Sequence, residues 1–279
     1  MNPSVTVVIA VYNKSENLRY VFAALARQSF SQFEVIVADD GSGKEIAGVV
    51  NDAKRKYSFP IKHLWHADKG WRKNAMLNYA IRESRTEYLI FVDGDCLPSR
   101  RFIEDHVAHR EEGKVLLGRR VEHGKRWTNE LTVTKIEQGE FERYTVRDLI
   151  DALRGESVRL EHGIRIPFAF LRRLTEKSDN MLGCNFSTYK RHLIDVNGFD
   201  EDYDGPGSGE DSDLYFRLNL IGVRGKSLRN LAIQYHLWHP LTRTPERTYL
   251  RFLETKKRGE SQCVNGLKNR VGRHSFTEQ

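Results

Sequence analysis

The sequence has few cysteines and no long hydrophobic run. Its three cysteines, Cys96, Cys184 and Cys263, lie far apart in 279 residues and form no CxxC pair, which argues against a disulfide framework and a zinc-thiolate site. No segment approaches the roughly 18 to 20 consecutive apolar residues of a membrane-spanning helix. The first residues, MNPS, lead directly into a strand-like run without a signal-peptide pattern. These absences predict a globular, cytoplasmic protein.

No glycine-rich phosphate-binding motif follows the early strand-like runs. A GxGxxG motif there would indicate a dinucleotide-dependent dehydrogenase, and a glycine-rich loop containing Arg or Lys would indicate a nucleotidyltransferase. The chain has VYNKSEN after its first run instead. The dehydrogenase is therefore disfavoured. The nucleotidyltransferase, which shares a similar α/β core, stays as an alternative that detection of pyrophosphate as the product would identify.

Positive charge is concentrated late in the chain. The formal net charge is +7, and residues 243–273 carry nine lysines and arginines against three glutamates. Such a segment can contact nucleic acid, anionic lipid headgroups or an anionic substrate, or it can be a solvated surface. A nucleic-acid-binding protein is the second alternative, but the segment has no recognition motif and no arrangement of base-stacking aromatic residues. Peripheral contact with an anionic membrane through residues 243–273 is a hypothesis.

Continuous apolar runs alternate with helical patterns in the first half of the chain. SVTVVIAV (residues 4–11), FEVIVA (33–38) and EYLIFV (87–92) are typical of strands covered on both faces. Further strands are predicted at residues 114–121 and 228–236. The alternation predicts an α/β fold with an open, mostly parallel sheet, whose ligands bind beyond the carboxyl ends of the strands. Polar residues occupy three of those ends: Tyr12, Asn13, Asp39, Asp40, Asp93 and Asp95.

The changes in pattern predict one domain over residues 1–242, followed by a basic tail at 243–279. Within the domain, residues 1–122 form a first half and 181–242 a second half. The stretch 124–180 is charged and helix-prone. It is either an inserted helical subdomain or a mobile flap.

Two aspartates separated by one glycine end the third apolar run, in FVDGDCLPSR. The helix-prone RRFIEDHV that follows excludes a hairpin, which would need a second alternating strand. In an extended chain Asp93 and Asp95 point to the same side, and Gly94 leaves room for another group. Two such carboxylates stay ionised at neutral pH only if positive charge lies between them. Because oxygen ligands favour Mg²⁺ or Mn²⁺, the segment predicts a divalent cation site.

A basic turn precedes the helix predicted to begin near residue 73. Arg72 and Lys73 lie at its amino terminus, where direct charge and the helix dipole would suit a diphosphate. A solvated basic turn is an equally good interpretation of this segment taken alone.

An acidic cluster, GSGEDSD at residues 207–213, begins another helix. Acids at a helix start are stabilised by the helix dipole, which explains part of the cluster. Three acids within four residues after a glycine-rich loop exceed what capping needs. One of them can be the base that accepts a proton from an attacking hydroxyl.

Two histidines follow the last predicted strand, in YHLWHP. A lone histidine is more often structural than a ligand. His236 or His239 would nevertheless complete a metal site that the aspartate pair begins, with open positions left for phosphate oxygens.

These pieces, in this order, resemble the family 2 inverting glycosyltransferases of the GT-A fold, a group that includes bacterial polysaccharide enzymes. The resemblance covers residues 4–122 and 181–240 and rests on VVIAVYNKSENL, EVIVADDGS, KGWRKNAMLNYAI, YLIFVDGDCLPSRRFI, GCNFSTYKRHLIDVNGFDE and GSGEDSDLYFRL. GEDSD is similar to the GEDDD motif of the galactosyltransferase-type C-terminal region, with Ser212 in place of an acid. PGSG at residues 206–209 stands where that region usually has Trp-Gly-Gly.

The resemblance implies that residues 1–122 bind the nucleotide of a sugar donor, most often a UDP-sugar. The implied donor contacts are Ala10, Tyr12 and Asn13 at the base and ribose, Asp39 or Asp40 at the base, Arg72 at the diphosphate, and Asp93 at the ribose or the metal. Asp95 would bind Mn²⁺ or Mg²⁺ directly. By the same analogy His236 is the second metal ligand and His239 its substitute.

The resemblance also implies the reaction. Asp211 would be the catalytic base and Glu210 would bind the acceptor, a glycan or a lipid-linked glycan held by residues 181–242. The acceptor hydroxyl would attack opposite the leaving nucleoside diphosphate, so that one displacement inverts the anomeric centre. The implied activity is that of a metal-dependent hexosyltransferase.

Overall fold

A large sheet and a small sheet organise the fold. The computed structural model describes residues 3–172, 174, 180–207, 209–240, 245–269 and 277–278. Its strands are β1 Val5–Val11, β2 Phe33–Asp39, β3 Ile61–Trp65, β4 Tyr88–Asp93, β5 Cys96–Pro98, β6 Lys114–Leu117, β7 Arg119–Glu122, β8 Phe186–Tyr189, β9 Arg224–Ser227, β10 Ile233–His236 and β11 Thr277–Glu278. The α-helices are α1 Ser15–Leu25, α2 Lys44–Lys56, α3 Lys73–Glu83, α4 Phe102–His109, α5 Lys125–Glu130, α6 Val133–Gln138, α7 Val146–Leu153, α8 Ala169–Arg172, α9 Lys190–Asp195, α10 Glu210–Leu220 and α11 Glu246–Arg258. Short 3₁₀ helices lie at Glu140–Glu142, Leu160–Gly163 and Leu267–Asn269.

The large sheet has the order β11-β3-β2-β1-β4-β8-β6-β9. β3, β2, β1 and β4 are parallel, whereas β8 runs antiparallel to both of its neighbours. The predicted α/β fold with a mostly parallel central sheet is confirmed. In the register of the sheet Val11 lies beside Asp39 and Ala10 beside Asp93. The polar residues that follow these strands therefore meet at one edge.

Helices cover both faces of the large sheet. Every residue of β1 is buried, and alternate residues enter two separate cores. Val7 and Ile9 pack with residues of α1 and α2 on one face, whereas Val8 and Ala10 pack with residues of α3 and α10 on the other. This double burial explains why the strand is continuously apolar rather than alternating.

The small sheet has the order β5-β10-β7. The prediction of one strand over residues 114–121 is wrong, because that segment divides into β6 and β7, which belong to different sheets. The chain passes between the sheets at Gly118, where a β-carbon would overlap with the side chain of Asn185. That side chain is held by the carbonyl groups of Arg119 and Ala232, which accept hydrogen bonds from Nδ2 at 2.8 and 2.9 Å.

The stretch 124–180 contains helices α5 to α8 and two of the 3₁₀ helices. Trp127, Ile136 and Phe141 are buried in the same core as Tyr235 of β10, so this part of the stretch packs onto the small sheet. None of the helices that the structure describes is both long and apolar enough to span a bilayer. Of the residues singled out in the sequence, Ser208, Arg243, Arg270 and Arg273 lie outside the described residues.

Candidate active site

A cavity of about 300 Å³ lies beyond the carboxyl ends of β1, β2 and β4. Ala10, Tyr12, Asp40, Asp93 and Asp95 line it. Tyr12, Asp40, Asp93 and Asp95 were predicted from strand ends, whereas Ala10 was implied by the family resemblance, and the parallel register brings all five together. The cavity is therefore where an open α/β sheet is expected to bind its ligand.

The two aspartates that end β2 have different surroundings. Asp39 is fully buried, and its carboxylate accepts a hydrogen bond from Ser42 N at 2.8 Å and contacts His63 Nε2 at 2.9 Å. Asp40 lines the cavity, with its oxygens 2.8 Å from His66 Nε2 and from the donating Arg72 N. Of the predicted pair, only Asp40 reaches the cavity.

Asn13 and Arg72 form hydrogen bonds that hold neighbouring residues in place around the cavity. Asn13 has a φ of +51°, and its side-chain oxygen accepts a hydrogen bond from Gly43 N at 3.0 Å. The backbone N–H of Arg72 fixes Asp40, while its guanidinium donates to the carbonyl oxygen of Ala67. Neither side chain is among those that line the cavity. The geometry thus differs from the predicted contact between the Arg72 guanidinium and a diphosphate.

Two lysines supply the positive charge instead. Lys73 Nζ lies 2.8 Å from Asp93 Oδ1, and Lys14 Nζ lies 2.9 Å from Asp95 Oδ2. Both lysines line the cavity. Lys73 was recognised in the basic turn before α3, but Lys14 was missed because nothing in VYNKSEN distinguishes it from a solvated lysine. The predicted pair of carboxylates is therefore divided, with a separate cation for each.

Asp95 is the centre of a cluster of basic side chains. His236 Nε2 lies 3.7 Å from Asp95 Oδ1, and His239 Nε2 lies 3.6 Å from Asp95 Oδ2. Burial alone would raise the pKa of Asp95, but the charges of His236 and Lys14 hold that pKa below its ordinary value. Asp95 is thus an ionised carboxylate at neutral pH.

The small sheet positions His236. In its register His236 pairs with Cys96 on one side and with Glu122 on the other. The His236 ring contacts Glu122 Oε2 through Nδ1 at 2.8 Å, which leaves Nε2 directed towards Asp95. Burial would raise the pKa of Glu122, but its hydrogen bond to His236 and the charge of Arg120 lower that pKa to about 2. Glu122 was missed because its role depends on pairing between distant strands.

This arrangement fits a divalent cation. Among the described residues, Asp95, Cys96 and His236 each place a possible ligand atom within 4.8 Å of the others. A ligand histidine whose second nitrogen contacts a carboxylate is a common feature of metal sites, because the carboxylate fixes the ring. Burial raises the pKa of the Cys96 thiol well above its ordinary value, and sulfur is a soft ligand that suits Mg²⁺ or Mn²⁺ poorly. Asp95 and His236 are the fitting pair, because Asp95 Oδ1 faces His236 Nε2 while Lys14 contacts the other oxygen, Oδ2.

Glu210 and Asp211 begin α10. Asp211 Oδ2 accepts a hydrogen bond from Gly183 N at 2.7 Å, and a side chain at residue 183 would overlap with that carboxylate. Burial raises the pKa of Asp211, while the charge of Lys73 opposes the shift. Burial and the neighbouring Asp211 raise the pKa of Glu210 to about 8. Each buried carboxyl group therefore resists ionisation, and Lys73 favours the ionised form of both.

Lys73 connects the two parts of the site. Burial disfavours its charge, but Asp93, Asp211 and Glu210 together hold its pKa above the ordinary value. The acids of α10 and the end of β4 therefore face one ammonium group. Asp93 and the two acids of α10 are more than a hundred positions apart in the sequence, and the fold brings them together.

Two family descriptions match the sequence. The one named glycosyl transferase family 2 matches residues 6–179, which is more than half of the chain. The one named N-terminal domain of galactosyltransferase matches residues 171–240, which include GEDSD. Together they cover every residue assigned above to the cavity, the metal group and the acidic pair.

Individual proteins give the same picture. Validoxylamine A glucosyltransferase of Streptomyces hygroscopicus subsp. jinggangensis is 29% identical over 226 residues, which are 79% of this chain and 52% of that relative. The chain thus spans about half of that relative's length. S. aureus TarS 1–349 in complex with UDP superposes with a TM-score of 0.59 and 18% identity, over 95% of this chain and 67% of that one. Mannosyltransferase PcManGT from Pyrobaculum calidifontis, in complex with GDP-Man and Mn²⁺, gives 0.54 and 15%, over 92% and 61%. These similarities confirm the predicted GT-A fold.

Proposed function

The chain belongs to glycosyl transferase family 2, and from that membership we propose that it is a metal-dependent, inverting glycosyltransferase. It would move a sugar from a nucleoside diphosphate donor, a UDP-sugar, to a hydroxyl of a glycan or lipid-linked acceptor. The observation that carries the proposal is Lys73, whose ammonium group faces both Asp93 at the donor cavity and Asp211 at the start of α10. A donor site and a general base thus share one cation.

The donor would lie in the cavity beyond β1, β2 and β4. Ala10 and Tyr12 border the base and ribose, and Asp40 hydrogen-bonds the base. Asp39 and Asn13 support these contacts from behind, through Ser42 and Gly43. Lys14 and Lys73 supply the positive charge beside the diphosphate, and the backbone of Arg72 holds Asp40 in place. The UDP and GDP-Man complexes of similar folds support a nucleotide at this place.

Asp95 and His236 would hold Mn²⁺ or Mg²⁺, with His239 next to them. Such an ion supplies positive charge that stabilises the diphosphate as it leaves. Support comes from the carboxylate of Glu122 behind His236 and from the Mn²⁺ in a structure of similar fold. Glu122 acts as a positioning residue, because its contact with Nδ1 leaves Nε2 free for a ligand role.

Asp211 would act as the general base. The acceptor oxygen bonds to the anomeric carbon while the bond to the diphosphate oxygen breaks, and the hydroxyl proton passes to Asp211. Because attack and departure are on opposite faces, the anomeric centre inverts. The Gly183 N–H orients one oxygen of Asp211, and the charge of Lys73 favours the ionised form against the effect of burial on its pKa.

Glu210 would bind the acceptor. Its pKa of about 8 leaves the carboxyl group protonated at neutral pH, so it can donate a hydrogen bond to the incoming sugar. Within the described residues its buried Oε2 atom has no hydrogen-bond partner, which suits a group that waits for a ligand.

The basic segment 243–273 would add peripheral contact with an anionic membrane. In its described part Lys256, Lys257 and Arg258 are exposed at the carboxyl end of α11. Lysine and arginine near a bilayer surface each contribute about 1 kcal/mol of attraction to anionic lipid. Nucleic acid is not proposed as a partner.

A donor screen tests the proposal. We expect one nucleotide sugar, a UDP-sugar, to be hydrolysed slowly in the presence of Mn²⁺ with release of the nucleoside diphosphate. Release of pyrophosphate instead would identify a nucleotidyltransferase and overturn the proposal. Asp211→Asn should lower turnover by about 10²- to 10⁴-fold, as expected for loss of a general base, with unchanged affinity for UDP by calorimetry. Ser212→Ala, on the same turn of α10, is the control for a disturbed helix.

A further inference from the structure

Helix α7 (Val146–Leu153) carries its apolar side chains on the outside. Val146, Leu149, Ile150 and Leu153 follow the spacing i, i+3, i+4 and i+7, so they form one stripe along the helix. Their exposed fractions are 74, 54, 40 and 89%. The opposite side of the helix carries Asp148 and Asp151, each only 3% exposed. The usual orientation of an amphipathic surface helix is therefore inverted.

Arg126 fixes this inverted orientation. Its Nη2 lies 3.0 Å from Asp148 Oδ1, and its Nε donates to Asp151 Oδ2 at 2.8 Å. Asp148 also forms a capping box with Thr145. Because turning the helix would leave two carboxylates and a guanidinium without their partners, the apolar stripe is held in an outward position.

The surroundings of the stripe are apolar and positively charged. More than half of the large apolar side chains that the described part of the chain leaves exposed lie between residues 146 and 174. Arg143, Arg147, Arg154 and Arg159 are exposed around α7, against two exposed acids, Glu156 and Glu161, between residues 143 and 161. At 100° per residue, Arg147 and Arg154 project along one margin of the stripe. This pattern is that of helices that lie in a membrane interface.

We propose that the α7 stripe docks on an anionic lipid bilayer. The apolar side chains enter the boundary between headgroups and acyl chains, and the arginines bind the headgroup phosphates while their stems cover apolar surface. A second copy of the chain is disfavoured as the occupant, because two such stripes face to face would bring eight arginines together against four glutamates. An anionic surface complements that charge.

The stripe lies close to the active site along the chain. Val158, just beyond α7, forms a bridge with Glu122, in which the N–H of each donates to the carbonyl of the other at 2.9 and 3.1 Å. Glu122 in turn contacts His236. If the proposed function holds, docking through α7 would keep the site near the membrane surface, where a lipid-linked acceptor resides. The docking itself does not depend on that function.

Vesicle sedimentation of the full chain tests the proposal. The probes are vesicles of phosphatidylcholine alone and of phosphatidylcholine mixed with phosphatidylglycerol. We expect binding to the anionic vesicles, and we expect Leu149→Ser with Leu153→Ser to weaken it by about tenfold or more, because two leucine side chains no longer enter the interface. The matched control is Ile194→Ser with Leu220→Ser, which removes two exposed apolar side chains from α9 and α10 and should leave binding within about twofold of the parent.

The other outcomes are also decisive. Absence of binding by the parent chain, or an equal loss in the Ile194 and Leu220 control, would overturn docking through α7. So would a dimer that becomes a monomer in the Leu149 and Leu153 variant without a change in vesicle binding, since a second copy would then cover the stripe. Arg147→Gln with Arg154→Gln should weaken binding to anionic vesicles only, which checks the charge independently of the leucines. Donor hydrolysis by the same variants in the absence of vesicles reports separately on the proposed function.

Discussion

Lys73 should set the pH at which the proposed base becomes active. Its ammonium favours the ionised form of Asp211, whose pKa burial otherwise raises. We consider Lys73→Met, which keeps the length of the side chain and removes its charge. Without this cation the protonated form of Asp211 becomes more favourable, so the pKa of Asp211 rises further. The limb of the pH–rate profile that rises with pH should therefore move to higher pH.

The magnitude follows from the position of Lys73. An opposite charge within about 4–6 Å lowers the pKa of a carboxyl group by about 1–3 units. The Lys73 side chain is 21% exposed and is shared with Asp93, so solvent and the second carboxylate reduce its effect on Asp211. We expect a shift of about one pH unit, which corresponds to about 1.4 kcal/mol. On the acid side of that limb, turnover should fall by about tenfold from this cause alone.

The assay is release of nucleoside diphosphate from the donor, measured as kcat over a range of pH. Lys14→Met is the matched control, because Lys14 also lines the cavity and pairs with an aspartate of the DGD segment, but with Asp95 at 2.9 Å. It should lower turnover without moving the limb. An unmoved limb in Lys73→Met, or an equal shift in Lys14→Met, would refute the assignment of Asp211 as a base tuned by Lys73.

Two further substitutions test other parts of the structure. Glu122→Gln should weaken Mn²⁺ binding in the presence of UDP by about 10- to 100-fold, as measured by calorimetry, because the orientation of His236 is lost; unchanged affinity would remove Glu122 from the positioning role. Arg217→Met should lower the free energy of unfolding by about 3–5 kcal/mol in urea titrations. That substitution leaves the buried Asp213 carboxylate without its partner, both side chains being 1% exposed, and a loss below about 1 kcal/mol would contradict this account.

The local parts of the fold could be predicted from the sequence. Strands at the start of the chain are buried on both faces, and such burial produces continuous apolar runs that are visible without any partner. Residues 4–11 were predicted as a strand and Val5–Val11 is one. The polar residues at strand ends were found for the same reason, since parallel strands end at one edge. Asp40, Asp93 and Asp95 meet there, as predicted.

The remaining features depend on contacts between distant segments. Glu122 becomes important only because β7 and β10 pair in one particular register, and Gly183 only because Asp211 approaches its N–H. Neither relation leaves a periodic signal in the sequence. The division at Gly118 was missed because a single glycine in KVLLGRRV does not by itself separate two strands, and the side chain that separates them belongs to Asn185.

Helix α7 shows the limit of pattern in another way. The spacing of its apolar residues indicates a stripe along one side of the helix, but it does not indicate whether that side faces the protein core or the solvent. That side is decided by Arg126, which binds Asp148 and Asp151 and thereby draws the polar side inward. The spacing of apolar residues identifies an amphipathic helix, whereas one buried group of ion pairs can turn the apolar side of that helix towards solvent.

The order of strands in the small sheet has a consequence for folding during synthesis on the ribosome. β5 and β7 are synthesised by residue 122, but β10, which lies between them, begins only at residue 233. Until then β5 and β7 each present an unpaired edge, the kind of edge that recruits other chains. His236 is part of β10, which pairs with one edge of each of these strands and brings the histidine to Asp95. Completion of the small sheet and delivery of the second proposed metal ligand therefore depend on the same strand.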